Sequence, residues 1–267
     1  MLANFHTHSV FCDGKNTPNE IVEAAIDAGM SAIGFSGHGY TDFDLRYCMK
    51  DTEGYIAEIK RLKTVYKDKI AIFLGVEEDA FCHVERSEFD YIIGSSHYYR
   101  VGDRYLPIDS SSEHFKVCLE EFGYDAVAMA HAYYAPFCDY ILRRKPDIVG
   151  HFDLITKFDE MDTSLFLDNP EYHDVARQYI LRAAESGCAF EVNTGAISRG
   201  YRHAPYPHES LLVALKSCGA RLVLSSDSHS KDTLVFGFEE TKRYLYDLGF
   251  RELYTLSHDG FIKYSIR

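Results

Sequence analysis

Short apolar runs alternate with amphipathic stretches along most of the chain. The runs Leu2–His6, Ala32–Ser36, Ile70–Val76, Tyr91–Ser95, Asp147–His151, Ala189–Asn193 and Arg221–Ser225 have the length and apolar density of buried strands. Between them the spacing predicts helices. Thr17–Gly29 opens with Thr17 as N-cap, Pro18 at the first helical position and Glu20 closing a capping box, and it stops at Gly29. In Thr52–Tyr66 the residues Tyr55, Ile56, Ile59, Leu62 and Val65 recur at helical spacing. Tyr172–Gly187, Pro207–Gly219 and Phe238–Gly249 repeat the helix-then-glycine ending, and Ser110–Lys145 reads as helical without a strand. Strand and helix in this rhythm predict an α/β fold with a parallel sheet, open or closed into a barrel. No repeat, low-complexity tract or linker interrupts it, so residues 1–267 are read as a single domain.

The polar positions that end the strands carry the chemistry. His6 and His8 follow the first strand, His38 the second, Glu77 the third, His97 the fourth and His151 the fifth. The sixth ends in Glu191-Val192-Asn193 and the seventh runs into Asp227-Ser228-His229. Ligands of parallel α/β folds gather at the carboxyl ends of strands. Side chains two apart on a strand share a face, so His6 with His8, and Asp227 with His229, can each meet one ion, while Phe5 and Thr7 are expected to face the helices. A lone histidine is more often structural, and that reading is kept for the others. His114, His131 and His173 fall in helical segments, and His83, His203, His208 and His258 in polar loops. His131 is the alternative to His151.

Composition narrows the classes. With 28 basic against 41 acidic residues the net charge is −13, which argues against broad nucleic-acid binding. The 20 tyrosines and 18 phenylalanines lack basic interleaving, so no stacking platform for single strands is expected. The 7 scattered cysteines contain no Cys-x-x-Cys pair and read as free thiols of a reducing, cytoplasmic compartment. Met1–His6 does not resemble a signal peptide, and no apolar run approaches the ~18 residues of a membrane span.

The ordered set of motifs resembles the polymerase and histidinol phosphatase (PHP) superfamily of metal-dependent phosphoesterases, and within it the monofunctional histidinol-phosphate phosphatases. The likeness rests on His6-Thr7-His8-Ser9 with Asp13-Gly14, Ser36-Gly37-His38, Gly75-Val76-Glu77 and Ser95-Ser96-His97. It continues through Gly150-His151-Phe152-Asp153-Leu154-Ile155, Glu191-Val192-Asn193-Thr194 and Ser226-Asp227-Ser228-His229. Gly37 stands where many relatives carry an acidic residue, and Asp13 where they often carry histidine. The resemblance implies a distorted (β/α)7 barrel with a trinuclear site at the strand ends. One divalent ion would take His6, His8, Glu77 and Asp227, a second Glu77, His97 and His151, and a third Asp13, His38 and His229. Such ligation suits Zn²⁺, Mn²⁺ or Fe²⁺.

The implied reaction is hydrolysis of a small-molecule phosphomonoester, L-histidinol phosphate to L-histidinol and phosphate, in histidine biosynthesis. Arg199 is the first choice for the phosphate grip, then Lys157 and Arg202, with His38 at the same rim. Asp227 and His229 are candidate catalytic groups beside Arg199 and candidate proton donors to the leaving group. Asp109, Glu113 and the Tyr98-Tyr99 pair are candidates for the amine and imidazole. The rival readings are a PHP phosphoesterase for a nucleotide, cyclic phosphate or phosphotyrosine, an amidohydrolase-type deaminase, and a non-catalytic metal-binding domain. The deaminase reading is disfavoured because the middle motif is Gly-x-Glu rather than a bridging lysine.

Overall fold

The computed structural model of the chain describes residues 1–266. Its strands are β1 (Ala3–Asn4), β2 (Ala32–Phe35), β3 (Ala71–Asp79), β4 (Tyr91–Ser95), β5 (Tyr98–Val101), β6 (Arg104–Pro107), β7 (Ile148–Val149), β8 (Ala189–Asn193), β9 (Arg221–Ser225), β10 (Glu252–Ser257) and β11 (Gly260–Ser265). Its α-helices are α1 (Pro18–Asp27), α2 (Thr52–Val65), α3 (Ser112–Glu121), α4 (Ala126–Arg144), α5 (Pro170–Ala184), α6 (Gly195–Ser198), α7 (Glu209–Ser217) and α8 (Phe238–Asp247).

One 9-stranded sheet runs in the order β1-β2-β3-β4-β7-β8-β9-β10-β11, and every pairing from β1 to β10 is parallel. The run curls on itself. Thr7 bridges Ser228 in parallel, the His8 N–H donates to Ser228 O at 2.8 Å, and the Ser228 N–H donates to His6 O at 3.0 Å. On the same edge of β9, β10 pairs where Tyr254 meets Val223. The seam between β9 and β1 is thus closed at its upper end and occupied by the β10–β11 hairpin below, which is the distortion of the barrel.

Alternation along the strands sorts the side chains. Ile72, Leu74 and Val76 of β3 pack outward with Ile21, Val22, Tyr55 and Ile59 of α1 and α2. Phe190 and Val192 of β8 and Leu222 and Leu224 of β9 join the large cluster under α4, α5 and α7. The opposite face supplies an inner plug of Phe5, Phe73, Tyr91, Ile93, Ile148, Ala189 and Val223. Further along the same inner faces come Glu77, Glu191 and Asp227, so the site sits above the plug. Phe5 is therefore inside the barrel, not against the helices as expected. The cause is Asn4: its side-chain oxygen accepts from the His6 N–H at 3.1 Å and from the Ser226 N–H at 3.2 Å. This local turn ends β1 early and resets the alternation, so Phe5 and His6 both point inward.

The predicted capping box of α1 is present, with the Glu20 N–H donating to Thr17 Oγ1 at 3.3 Å and the Thr17 N–H to Glu20 Oε2 at 2.8 Å. Strands β4, β8 and β9 coincide with their predicted spans, β3 runs on to Asp79, and β1 and β7 are shorter. Ser110–Lys145 resolves into α3 and α4. Two antiparallel hairpins, β5–β6 and β10–β11, add to the predicted strands.

Candidate metal centre

The strand ends bring His6, His8, Asp13, His38, Glu77, His97, His151, Asp227 and His229 to one rim. They fall into overlapping groups whose ligand atoms lie within 4.8 Å of one another: His8, Asp13, His38 and His229; His6, Glu77 and His151; His6, His8 and Asp227; and His38, Glu77 and His97. Glu77 is at the centre. Its Oε1 lies 3.0 Å from His151 Nε2 and 3.4 Å from His97 Nε2, and its Oε2 lies 3.2 Å from His6 Nε2 and 2.9 Å from His38 Nδ1. Asp227 Oδ1 is 3.2 Å from His8 Nε2 and 3.6 Å from His6 Nε2. Asp13 faces His229 Nε2 at 3.2 Å and His38 Nε2 at 3.7 Å. The grouping overlaps more than the expected partition: His8 is near enough to the Asp13 set to share it, with Nδ1 3.6 Å from Asp13 Oδ1, His6 also groups with Glu77 and His151, and His38 with Glu77 and His97.

These atoms are what a dication requires. His6 Nε2, His8 Nε2 and Glu77 Oε2 are buried and find no hydrogen-bond partner among the described residues, although they approach one another closely. Buried polar atoms are almost always bonded, and imidazole nitrogens converging on carboxylate oxygens without hydrogen-bonding them fit a shared cation.

An outer layer orients the inner one. His6 Nδ1 donates to Glu191 Oε1 at 2.7 Å, and Glu191 Oε2 accepts from the His151 N–H at 2.9 Å and from Asn193 Nδ2 at 2.8 Å. Asp79 Oδ2 accepts from the His97 N–H at 2.9 Å and lies 3.1 Å from His97 Nδ1. Neither Glu191 nor Asp79 received a role from the sequence. The signal was there, since Asp79 is two residues beyond Glu77 and Glu191 two before Asn193, on the same inner faces.

Electrostatics follow from this packing. Burial pushes against the charge on Glu77, but His6, His38 and His97 outweigh it and hold the carboxyl well below its ordinary range. Asp227 is likewise depressed, burial being overcome by Arg199 and then His6. In the ion-free protein, burial with the neighbouring His229 and His38 lowers His8 to about 3.

The rim opens into a cavity of about 370 Å³. Arg199 lines it, its Nη2 donating to Asp227 Oδ2 and its Nη1 to Asp227 O, each at 2.9 Å. Close approach is possible because position 195 is glycine: a Cβ there would lie 2.9 Å from Asp227 Cβ and from Arg199 Nη2. Asp227 itself adopts a left-handed φ of 47°, a conformation Asp tolerates and one that turns its side chain toward the rim. Lys157 lines the same cavity, with Nζ donating to Asp109 O at 2.7 Å and lying 3.5 Å from Asp109 Oδ2. Asp109 is held below its ordinary value against burial by Lys157, then His97 and His151.

Three expectations are corrected. Arg202 does not line the cavity. Its side chain is fully buried behind it, donating to Thr156 Oγ1 at 3.1 Å, near Asp153 and Glu160, with its guanidinium 4.5 Å over the Tyr206 ring. Tyr99 packs in the core against Phe122 and Tyr133, since only alternate residues of β5 face the cavity, and Tyr98 is the one that does. Glu113 is exposed on α3. Of the histidines set aside, His131 is exposed and bonded to Tyr179 Oη at 3.1 Å, so it does not replace His151.

Comparison with known proteins agrees with this geometry. The chain is 28% identical over 277 residues to a protein of Schizosaccharomyces pombe named probable histidinol-phosphatase, covering 95% of this chain and 89% of the relative. It is 26% identical to the histidinol-phosphatase of Bacillus subtilis, covering 88% of this chain and 96% of that one. In fold it matches the Lactococcus lactis histidinol phosphate phosphatase solved with Zn, L-histidinol and phosphate, with TM-score 0.72, 21% identity and 98% of each chain covered. No helix among the described residues is long and apolar enough to cross a membrane. Because the PHP domain pattern also spans residues 4–195, through the strand-end motifs from His6 to His151, the chain belongs to the PHP family.

Proposed function

We propose that this chain is a metal-dependent phosphomonoesterase that converts L-histidinol phosphate to L-histidinol and phosphate. The observation that carries the reading is the unbonded, buried meeting of His6 Nε2, His8 Nε2 and Glu77 Oε2 beside a cavity lined by Arg199. The full-length likeness to histidinol-phosphatases supports the substrate. Three divalent ions, Zn²⁺, Mn²⁺ or Fe²⁺, would be held by His6, His8, Glu77 and Asp227, by Glu77, His97 and His151, and by Asp13, His38 and His229. When bound, such ions supply Lewis-acid charge and lower the pKa of water.

The protein groups divide the remaining work. Arg199 presents N–H donors to the phosphoryl oxygens while Asp227 pins its other edge, so little side-chain freedom is lost on binding. Asp227 Oδ2 is held by Arg199, which leaves Oδ1 turned to the histidine cluster as its ligand atom, so Asp227 ties the position of the guanidinium to that of the ion it would help hold. His229, at the rim between Asp13 and Asp227, is the proposed proton donor to the leaving alkoxide. Lys157 adds positive charge to the phosphate end, and His38 borders it. Free cysteines at all 7 positions fit a reducing, cytoplasmic setting.

Phosphate release from L-histidinol phosphate, measured beside nucleotide, sugar and tyrosine phosphates on the metal-reconstituted protein, tests this reading. L-histidinol phosphate should give the highest kcat/KM. A nucleotide or phosphotyrosine ranking above it would reassign the substrate.

A further inference from the structure

His6, His8 and His97 each turn Nε2 toward the rim carboxylates and Nδ1 away from the centre. Behind two of them stands a carboxylate, Glu191 Oε1 at 2.7 Å from His6 Nδ1 and Asp79 Oδ2 at 3.1 Å from His97 Nδ1. His8 is backed by a thiol: its Nδ1 lies 3.5 Å from Cys12 Sγ, a separation the larger sulfur atom bridges. Asp13 Oδ1 is 3.6 Å from the same nitrogen, too far for an oxygen acceptor. The thiol's own hydrogen has a partner, since Cys12 Sγ donates to Ser9 O at 3.5 Å, and the sulfur lone pairs are left to the imidazole. The turn that holds the thiol is tight. The Cys12 and Gly14 N–H groups both donate to Ser9 O at 3.0 Å, and a Cβ on Gly14 would meet the His8 carbonyl carbon at 2.5 Å. From the opposite side Gly37 leaves room for the sulfur, because a Cβ there would lie 3.2 Å from Cys12 Sγ. Among the described residues Cys12 is in none of the groups close enough to share an ion, so it is not placed as a ligand itself.

We propose that Cys12 is a positioning residue for His8: its sulfur accepts the Nδ1 hydrogen, which commits His8 through Nε2 to the ion of His6, Glu77 and Asp227 and withholds it from the Asp13 ion. The inference rests on the metal-dependent reading and adds which nitrogen His8 gives, and to which ion. A neutral imidazole carries one ring hydrogen. Placed on Nδ1, that hydrogen leaves Nε2 bare, and Nε2 is the buried, unpartnered atom 3.2 Å from Asp227 Oδ1 and 3.6 Å from Glu77 Oε2. With Nδ1 spent on sulfur, the Asp13 ion would keep Asp13, His38 and His229 as its protein ligands, and a site with three protein ligands retains an open position. The thiol fixes the tautomer without adding negative charge beside Asp13.

The test is made on the full-length protein loaded with zinc. Long-range proton–nitrogen NMR of the histidine rings should show the His8 hydrogen on Nδ1 in the wild type. Chelator competition on Cys12→Ala should show one ion bound about tenfold more weakly, the low end of the scale for losing the group behind a metal-bound histidine, because sulfur is a weak acceptor. Cys12→Ser, which keeps a donor and acceptor at that place, should recover part of the affinity. A wild-type His8 with a bare Nδ1, or a Cys12→Ala protein of unchanged affinity, overturns the proposal. Equal loss in the Ala and Ser variants points to damage of the Ser9–Gly14 turn and also overturns it. Turnover of p-nitrophenyl phosphate is read separately: a zinc-loaded wild type without it refutes the phosphatase reading and not the role of Cys12, whereas a wild type that takes up no zinc overturns both.

Discussion

His6 and Glu191 meet at 2.7 Å with both side chains fully buried, so the imidazole that faces Glu77 through Nε2 is held from behind through Nδ1. That contact fixes the tautomer that leaves Nε2 free to coordinate. The same Glu191 carboxylate ties down the main chain at His151, on the neighbouring strand end.

Glu191→Gln is nearly isosteric and should leave the fold intact. Loss of the charged acceptor behind His6 is expected to weaken metal affinity by about 10–100-fold. Competitive titration with a fluorescent chelator, alongside circular dichroism, checks this. Unchanged affinity would remove Glu191 from the support of the site.

Glu77 is contacted on both oxygens by different histidines, so Glu77→Gln should lower the number of ions bound and not only their affinity. Elemental analysis of the purified variant reads this directly. A full complement of ions in the variant would show that Glu77 does not bridge.

Arg199→Met should reduce kcat/KM for phosphomonoesters by roughly a hundred- to a thousandfold, the scale for losing a preorganised donor to developing charge. Steady-state kinetics at fixed metal content make the measurement. Arg202→Met should behave differently, destabilising by about 3–5 kcal/mol because Asp153 and Glu160 lose their buried counter-charge. Denaturant unfolding measures that loss, and a KM rise at unchanged stability would return Arg202 to the phosphate site.

Metal removal should expose a pH dependence. Without ions, burial lowers His6, but Glu191, Glu77 and Asp227 outweigh it and raise His6 well above its ordinary value; His38 and His97 are raised against burial chiefly by Glu77. Raised histidines contribute stability that is fully present below their unfolded pKa of about 6.5 and is lost as pH climbs through the folded values. His8, depressed to about 3, opposes the trend only below its unfolded pKa of about 6.5, where the unfolded chain still binds its proton. The Tm of chelator-treated protein should therefore fall as pH rises above about 6.5, and zinc should abolish the fall. A flat or rising Tm for the stripped protein would contradict the electrostatics described.

The rim was legible in the sequence because a parallel strand delivers its last inward side chain to a common edge, whatever the helices do. His97, Glu77 and Asp227 could be picked out on that ground alone. The direction of Phe5 could not, since it depends on Asn4 bonding Ser226, a residue 222 positions away. Arg202 was misplaced for a related reason. A basic residue in a loop after a strand looks available until the fold buries it against Tyr206 and Asp153. The β5–β6 hairpin leaves no clear pattern in the sequence because Tyr98–Pro107 mixes apolar and charged residues without clean alternation, and it is held by contacts such as the Phe43–Tyr105 stack at 3.9 Å.

Anomalous diffraction from crystals grown with zinc and soaked in phosphate, recorded on either side of the zinc edge, bears most directly on the central claim. Three peaks should appear inside the ring formed by His6, Glu77, His97 and Asp227 and the Asp13–His38–His229 set, with phosphate against Arg199. No peak there, or a single ion that leaves Glu77 uncoordinated, would contradict the account.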